Sequence, residues 1–583
     1  MLTLRETLVR LTVYELQSLI DMLTGVQRVG RKAELIDRIQ AQMQADGLRN
    51  QWGSLNDMQQ AAVAEALHGD GRFYPVRFQA KYGKSVGTAE RSDRYSQRLT
   101  SLALFLYQDD VGHFLPVDLR DALRTFVTEP EPVRLITTEI LPDSIRDQPV
   151  EIRITEREAL LDLPVMLRLV EQGKVRVSDK TRLPGKAALA LLSEQLAGGD
   201  FYDDTNVGYQ EIGAIKAFAW PMLLQAGDLT QMEKGKLALS KAGIRALSKA
   251  PAEVLKGLWK KWLGNRLLDE FSRVDLVKGQ KSKGRVMTAP GRRRGVISKA
   301  LACCPVGEWV EVDELGRYMR AADLDFEVTH DPWKLYIFDP QYGSLGYSGF
   351  HDWDILQLRY LLAFLFEYAA PLGMIDIAYV DPDGNRDNFG DLWGTDELNF
   401  LSRYDGLSHI RLTELGAWCL GLRDQYVPHR LPSTLKLDVL PSLQFRVTGG
   451  QPSAQETLLL DGWAMRVADG CWRLDRVKTL SAAGKGHDIG VLESLLLQAS
   501  DQPLPEPVEA FFKHVRQHAT ALRTAATALL VECQSPEIAR QIASHRETTK
   551  LCLPAGERHL AVRVEHEGKF REAVHVLGFG WAV

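Results

Sequence analysis

One short signature occurs twice in this chain, and it limits what the chain can fold into more than any other feature. The copies are Leu-Ala-Leu-Ser-Lys-Ala-Gly, from Leu237 to Gly243, and Ile-Arg-Leu-Thr-Glu-Leu-Gly, from Ile410 to Gly416. In each, apolar residues that suit a short strand end at a hydroxyl residue, Ser240 or Thr413, that suits a helix N-cap, and a new helix follows. An apolar helical stretch precedes each copy, Ala214 to Ala226 in the first and Ile355 to Ala370 in the second. Upstream of the first signature, Leu229 to Ser240 reads as two strands about a Lys234-Gly235 turn.

A helix, a two-stranded wing and a closing helix in that order resemble the winged-helix module. This helix-turn-helix variant commonly grips duplex DNA. The expected fold is mostly α with α+β modules: tandem winged-helix domains plus a C-terminal α/β domain. At 583 residues the chain is too long for one core. The expected division is 1–45, 46–150 (helical), 151–263 (first winged helix), 264–299 (basic linker), 300–430 (second, acidic winged helix) and 431–583.

The net charge of −5 conceals a strong asymmetry. Gln231 to Lys299 carries 18 Lys/Arg against 5 Asp/Glu, whereas Ala300 to Ile410 carries 6 against 20. Either one stretch meets a polyanion while its neighbour meets a basic partner, or the two face each other in the fold. The greasiest run, Ile355 to Val380, is broken by Arg359, Glu367 and Pro371 and reads as buried helix, so no membrane span is expected. The six cysteines form no C-x-x-C pair, which argues against zinc ribbons and disulfide scaffolds and fits a cytoplasmic protein.

Near the start, Leu11 to Ile39 reads as two amphipathic helices about a loop holding Gly25 and Gly30. Val13, Leu16, Leu23, Gly30, Lys32, Leu35 and Ile39 resemble the SAP motif of chromatin and DNA-repair proteins. That resemblance implies phosphate contacts from Arg28, Gly30, Arg31 and Lys32; a generic helical hairpin is the alternative. In the first module, Lys174, Arg176, Lys180, Arg182 and Lys186 cluster about a turn, with Lys234 and Lys236 on the wing. Such cations position a protein on phosphates without reading sequence. Lys278 to Lys299 reads as a basic loop whose Lys281, Lys283, Arg285, Arg292, Arg293 and Arg294 suit a phosphate backbone or, alternatively, form a solvated face.

Chemistry beyond binding is hard to find. Asp381, Asp383, Asp387 and Asp391 invite a calcium reading, but their spacing fails the EF-hand loop, and a wing-tip turn explains Asp381-Pro382-Asp383-Gly384. Tyr82-Gly83-Lys84-Ser85 lacks the first glycine of a phosphate loop, since Phe78 stands there. His351-Asp352-Trp353-Asp354 is the best nuclease-like cluster, and helix capping explains it better. Trp259 and Trp262, set among lysines, read as core anchors rather than base-stacking platforms. No catalytic residue, metal site or cofactor is expected.

The C-terminal third contains Ser500-Asp501-Gln502-Pro503-Leu504-Pro505-Glu506-Pro507-Val508 between two helices, then a strand at Ala528 to Glu532 and a helix at Pro536 to Ser544. Together with Leu169 to Thr181 (Leu-Val-Glu-Gln-Gly-Lys-Val-Arg-Val-Ser-Asp-Lys-Thr), this resembles the helicase-associated N-terminal domain of the XPB family. The resemblance runs from about Leu160 to Leu553 and includes no motor. It implies a non-catalytic accessory chain that holds double-stranded DNA and works with a separate helicase or nuclease subunit, in repair or in defence against foreign DNA. The alternatives are a protein scaffold whose winged helices do not touch DNA, and a divergent metal-dependent nuclease.

Overall fold

Capping chemistry sets the first helices. Thr3 with Glu6, Thr12 with Glu15 and Asn56 with Gln59 each close a capping box, starting helices Leu4–Arg10, Val13–Ile20 and Asp57–His68. The computed structural model describes residues 2–582, except 24–29, 94–95, 203–205, 208–209, 282–285, 348–352, 428–434, 453, 485–488, 501, 520 and 522–526. It is a mixture of helices and small antiparallel sheets, in two units: residues 1–432 with 453–458, and residues 433–452 with 459–583.

The first unit holds two hydrophobic cores. One gathers residues from Leu4 to Val127. The expected helical 46–150 also contains strands. Arg72–Phe73, Tyr107–Asp109 and Gly112–Phe114 form a three-stranded sheet, and Ala89–Asp93 pairs with Ser96–Leu99. These strands are too short to leave a readable alternation. Side-chain chemistry fixes them instead: Arg72 grips Asp109 with two hydrogen bonds of 3.0 Å, and Asp109 accepts the N–H groups of Val111 and Gly112 to turn the chain.

The other core runs without interruption from Ala159 to Trp418, so the two expected winged-helix domains are one body. Within it the doubled signature marks a doubled arrangement. The first copy runs through helix Thr155–Glu171, an extended stretch at 175–177, helices Lys186–Gln195 and Lys216–Ala226, hairpin Thr230–Glu233/Lys236–Leu239 and helix Lys241–Ala246. The second runs through helix Pro290–Ala302, strand Trp309–Glu311, helix Val312–Ala321, helix Gln357–Ala363 continuing as the wider turn Phe364–Ala369, strands Ile375–Tyr379 and Leu407–Leu412, and helix Glu414–Leu420. In both, the last strand lies between the other two: Arg176 bridges Lys236 in one, and Trp309–Glu311 pairs with Leu407–Leu412 in the other.

The corner after each hairpin is built alike. Ser240 Oγ accepts the N–H of Gly243 at 3.1 Å and donates to Asp228 O at 2.7 Å; Thr413 Oγ1 accepts the N–H of Gly416 at 2.8 Å and donates to Gly373 O at 2.7 Å. Asp228 and Gly373 both take a left-handed backbone, at φ 55° and 70°. A Cβ on Gly243 would strike Leu229 O, and one on Gly416 would strike Met374 O, so only glycine fits.

Two features fuse the copies. Strand Glu151–Arg153, which leads into the first copy, pairs with Ile375–Tyr379 and completes the second copy's sheet. Helix Lys216–Ala226 also packs against Phe364–Ala369, each being the third helix of its copy. The 264–299 segment is therefore no free linker. Pro290 starts a helix at its first turn, and that helix packs into the shared core.

In the second unit, Lys436–Val439, Gln444–Gly449, Cys471–Leu474 and Ala464–Ala468 lie side by side in that order, with helices Arg476–Gly484, Ile489–Ala499 and Glu506–His518. The first two of these strands form a hairpin that turns at Leu443, φ 64°. Ala528–Glu532, His559–Arg563 and Cys552–Pro554 form a second sheet about its own core. Helix Glu567–Val576 follows. Among the described residues no helix is long and apolar enough to cross a membrane.

Candidate nucleic-acid interface

The first copy's small sheet has one apolar and one cationic face. Val175, Val177 and Leu237 point into the core, so the alternation of a strand sends Lys174, Arg176 and Lys236 outward. Arg176 and Lys236 stand directly opposite each other. Like charges in that position are mutually destabilising. Neither makes an ion pair among the described residues, and Glu233, across from Lys236 on the other side, accepts a hydrogen bond from Gln231 instead.

Two tips extend this face. Residues 178–183 form a tight loop with Arg182 at φ 62°, closed by Arg182 N–H to Ser178 O and Ser178 N–H to Leu183 O. The wing turns at Lys234-Gly235, both left-handed. Asp179 ties the tips together by accepting the Gly235 N–H at 2.9 Å. Lys180, Arg182 and Lys234 are exposed on these tips, without an ion pair among the described residues. Asp179 and Glu233 are the carboxylates among them, so the face carries a clear excess of positive charge, suited to phosphate oxygens.

The other expected contacts fall elsewhere. Lys186 is exposed but paired with Glu211 at 3.1 Å. Gly30 and Arg31 are exposed at the start of helix Lys32–Gln42, on the other core, while Lys32 Nζ donates to Val9 O at 2.8 Å and closes the end of helix Leu4–Arg10. Lys281 and Arg292 are exposed; Arg28, Lys283, Arg285, His351 and Asp352 lie outside the described residues.

Arg293 and Arg294 require correction, because they are 1% and 0% exposed. Arg293 pairs with Asp269 and lies over the Tyr360 ring. Arg294 spends all five of its N–H groups on Glu270 and on the carbonyls of Trp262, Asn265 and Leu268. The basic run was read without its two acidic partners, which lie some twenty residues upstream.

Helix Lys216–Ala226, which the expected winged-helix arrangement would present to a groove, is buried. Its single charge in the first copy, Lys216, is 1% exposed and bound to Glu158 Oε2 at 2.6 Å and Asp162 Oδ2 at 2.8 Å. Burial pushes the Asp162 carboxyl above its usual range, and Lys216 pulls it back. In the second copy, Arg359 and Glu367 on the equivalent helix are fully buried, paired with Asp405 and Arg273. Trp259 and Trp262 sit in the same core, Trp262 stacked on Tyr368 at 4.2 Å.

No group of three metal-capable side chains exists among the described residues. Asp387 pairs with Arg146, and Asp381 accepts the Asp383 N–H within a turn. Sequence reading missed five exposed aromatic residues, Trp333, Phe338, Tyr342, Tyr347 and Trp393. Their setting among Pro, Gly and Asp, outside any helix or strand period, was the available signal. No protein-family model matches this chain, and no curated protein matches it in sequence.

Proposed function

We propose that the chain is a non-catalytic accessory subunit of the cytoplasm that grips double-stranded DNA by its phosphates. It works with a separate helicase or nuclease, in repair or in defence against foreign DNA, as its resemblance to the XPB-associated domain and to winged-helix modules suggests. The observation that carries this reading is the uncompensated pair Arg176 and Lys236, flanked by Lys174 and by the Lys180, Arg182 and Lys234 tips. A fold that keeps like charges opposed at the surface gains most when a polyanion neutralises them. The grip is through strands and tips rather than a helix in the groove, so it favours DNA of any sequence.

The test is binding of a fluorescent duplex of ~30 base pairs across a salt series, at about −0.9 in log affinity per log salt for each phosphate neutralised. A slope near −4 or steeper is expected, falling by about 3 to 4 on combined Arg176→Ser, Lys180→Ser, Arg182→Ser and Lys236→Ser substitution. Absence of binding at low salt overturns the reading. The buried third helices favour a second one, a protein scaffold, in which those four substitutions leave partner binding intact.

A further inference from the structure

We propose that the first unit docks a partner protein through an extended, Arg/Lys-bearing segment of that partner, on the aromatic face formed by residues 331–347 and 391–398. The inference deepens the accessory-subunit reading by naming the surface and the chemistry of the partner.

Trp333, Phe338, Tyr342, Tyr347 and Trp393 are 60, 58, 39, 54 and 75% exposed. Among the described residues only two other aromatic side chains, Tyr14 and Tyr74, are comparably bare, so exposed rings concentrate on this face. Concentration of that kind marks an interaction site, whereas scattered exposed apolar residues do not.

The rings are held in place. Trp333 meets Tyr347 edge-on at 5.2 Å, and a Cβ at Gly346 would collide with the Trp333 ring. Tyr342 lies on Gly394 in the same way. Phe338 takes a left-handed backbone, φ 59°, unusual for a bulky residue, anchored by its N–H to Leu276 O at 2.9 Å.

Phe338 and Tyr342 also line a cleft of about 1210 Å³ whose charges select the occupant. Its three cations are already taken: Arg273 by Glu367, Arg403 by Asp275 and Lys186 by Glu211. Glu194, Asp396 and Glu397, which also line it, make no ion pair among the described residues. A phosphate backbone would meet repulsion here. A guanidinium or ammonium group gains both carboxylates and ring faces, with apolar neighbours covering the tryptophans.

The test pans a displayed random dodecapeptide library on the immobilised full chain, then measures the enriched peptides in solution. The expected peptides combine Arg or Lys with apolar residues. Their affinity should fall about ten-fold or more in Trp333→Ala/Trp393→Ala and, separately, in Asp396→Lys/Glu397→Lys. Melting temperature confirms that these surface variants fold. No enrichment, or peptides that bind the variants equally well, overturns the proposal. So does concentration-dependent self-association of the chain that the same substitutions abolish, which would make a second copy the occupant. Duplex binding by the variants, measured alongside, keeps the two readings apart: it should be unchanged, and its absence in the unsubstituted chain would sink the DNA grip while leaving the docking face standing.

Discussion

The two copies share a corner and differ in where they keep their charge. In the first, the hairpin closes on Lys234-Gly235 and the sheet turns Lys174, Arg176 and Lys236 to solvent. In the second, a long loop joins Tyr379 to Leu407, and two of its charged side chains turn inward: Arg386 reaches the Asp405 and Leu407 carbonyls and Asp313, while Asp405 pairs with buried Arg359. One scaffold thus supports a charged surface and a charged interior. The hydroxyl cap and the glycine at the corner fix the path of the chain; the loop between the strands decides what that path is used for.

The largest effect is expected at Glu367, which holds Arg273 and accepts from the Tyr368 and Tyr404 hydroxyls in the core. Glu367→Ala should cost about 3–5 kcal/mol in denaturant unfolding, because it strands a buried guanidinium. A loss below about 1 kcal/mol would mean that Glu367 does not anchor the charged interior of the second copy. Next come the corner glycines: Gly416→Ala should cost about 3 kcal/mol and Gly243→Ala less, since the first hairpin lies at the surface and can shift. A larger loss at Gly243 would reverse the ranking of the two corners. Loss of the caps should be milder, about 1–2 kcal/mol for Thr413→Ala and about 1 kcal/mol for Ser240→Ala.

A smaller effect, at His409 in the second copy, is pH-dependent. Burial holds the His409 imidazole below its usual value of about 6.5, against the weaker pull of Asp313. The unfolded chain therefore takes up the proton first, so stability present above pH 6.5 is lost as the pH falls through the folded value. Melting curves of His409→Gln against the parent should converge in acid. The smallest effect belongs to the first copy: Arg176→Thr should leave stability within about 0.5 kcal/mol, shifted if anything upward by relief of the clash with Lys236.

Much of this was legible in the sequence, for local reasons. Caps, the Lys234-Gly235 turn and the outward cations of the first sheet follow from spacing and residue type. What covers a helix does not. Arg293 and Arg294 read as a free basic run because Asp269 and Glu270 come back to them only in three dimensions. Strand Glu151–Arg153 is too short to announce itself, and its partner comes more than two hundred residues later. One warning was present and went unused: Lys-Ala-Phe-Ala-Trp-Pro-Met-Leu-Leu-Gln-Ala, Lys216 to Ala226, has no polar face to offer a groove.

That same helix sets a timing problem for the newly made protein. Its neighbour Phe364–Ala369 lies well over a hundred residues further along the chain. At ~5–20 residues per second, a helix whose one charge is Lys216 waits roughly 7–30 s on the ribosome before this part of its cover is synthesised. Until then that face of the helix stays open, and slowing translation between residues 226 and 369 should lower the yield of folded protein more than slowing it anywhere after residue 420.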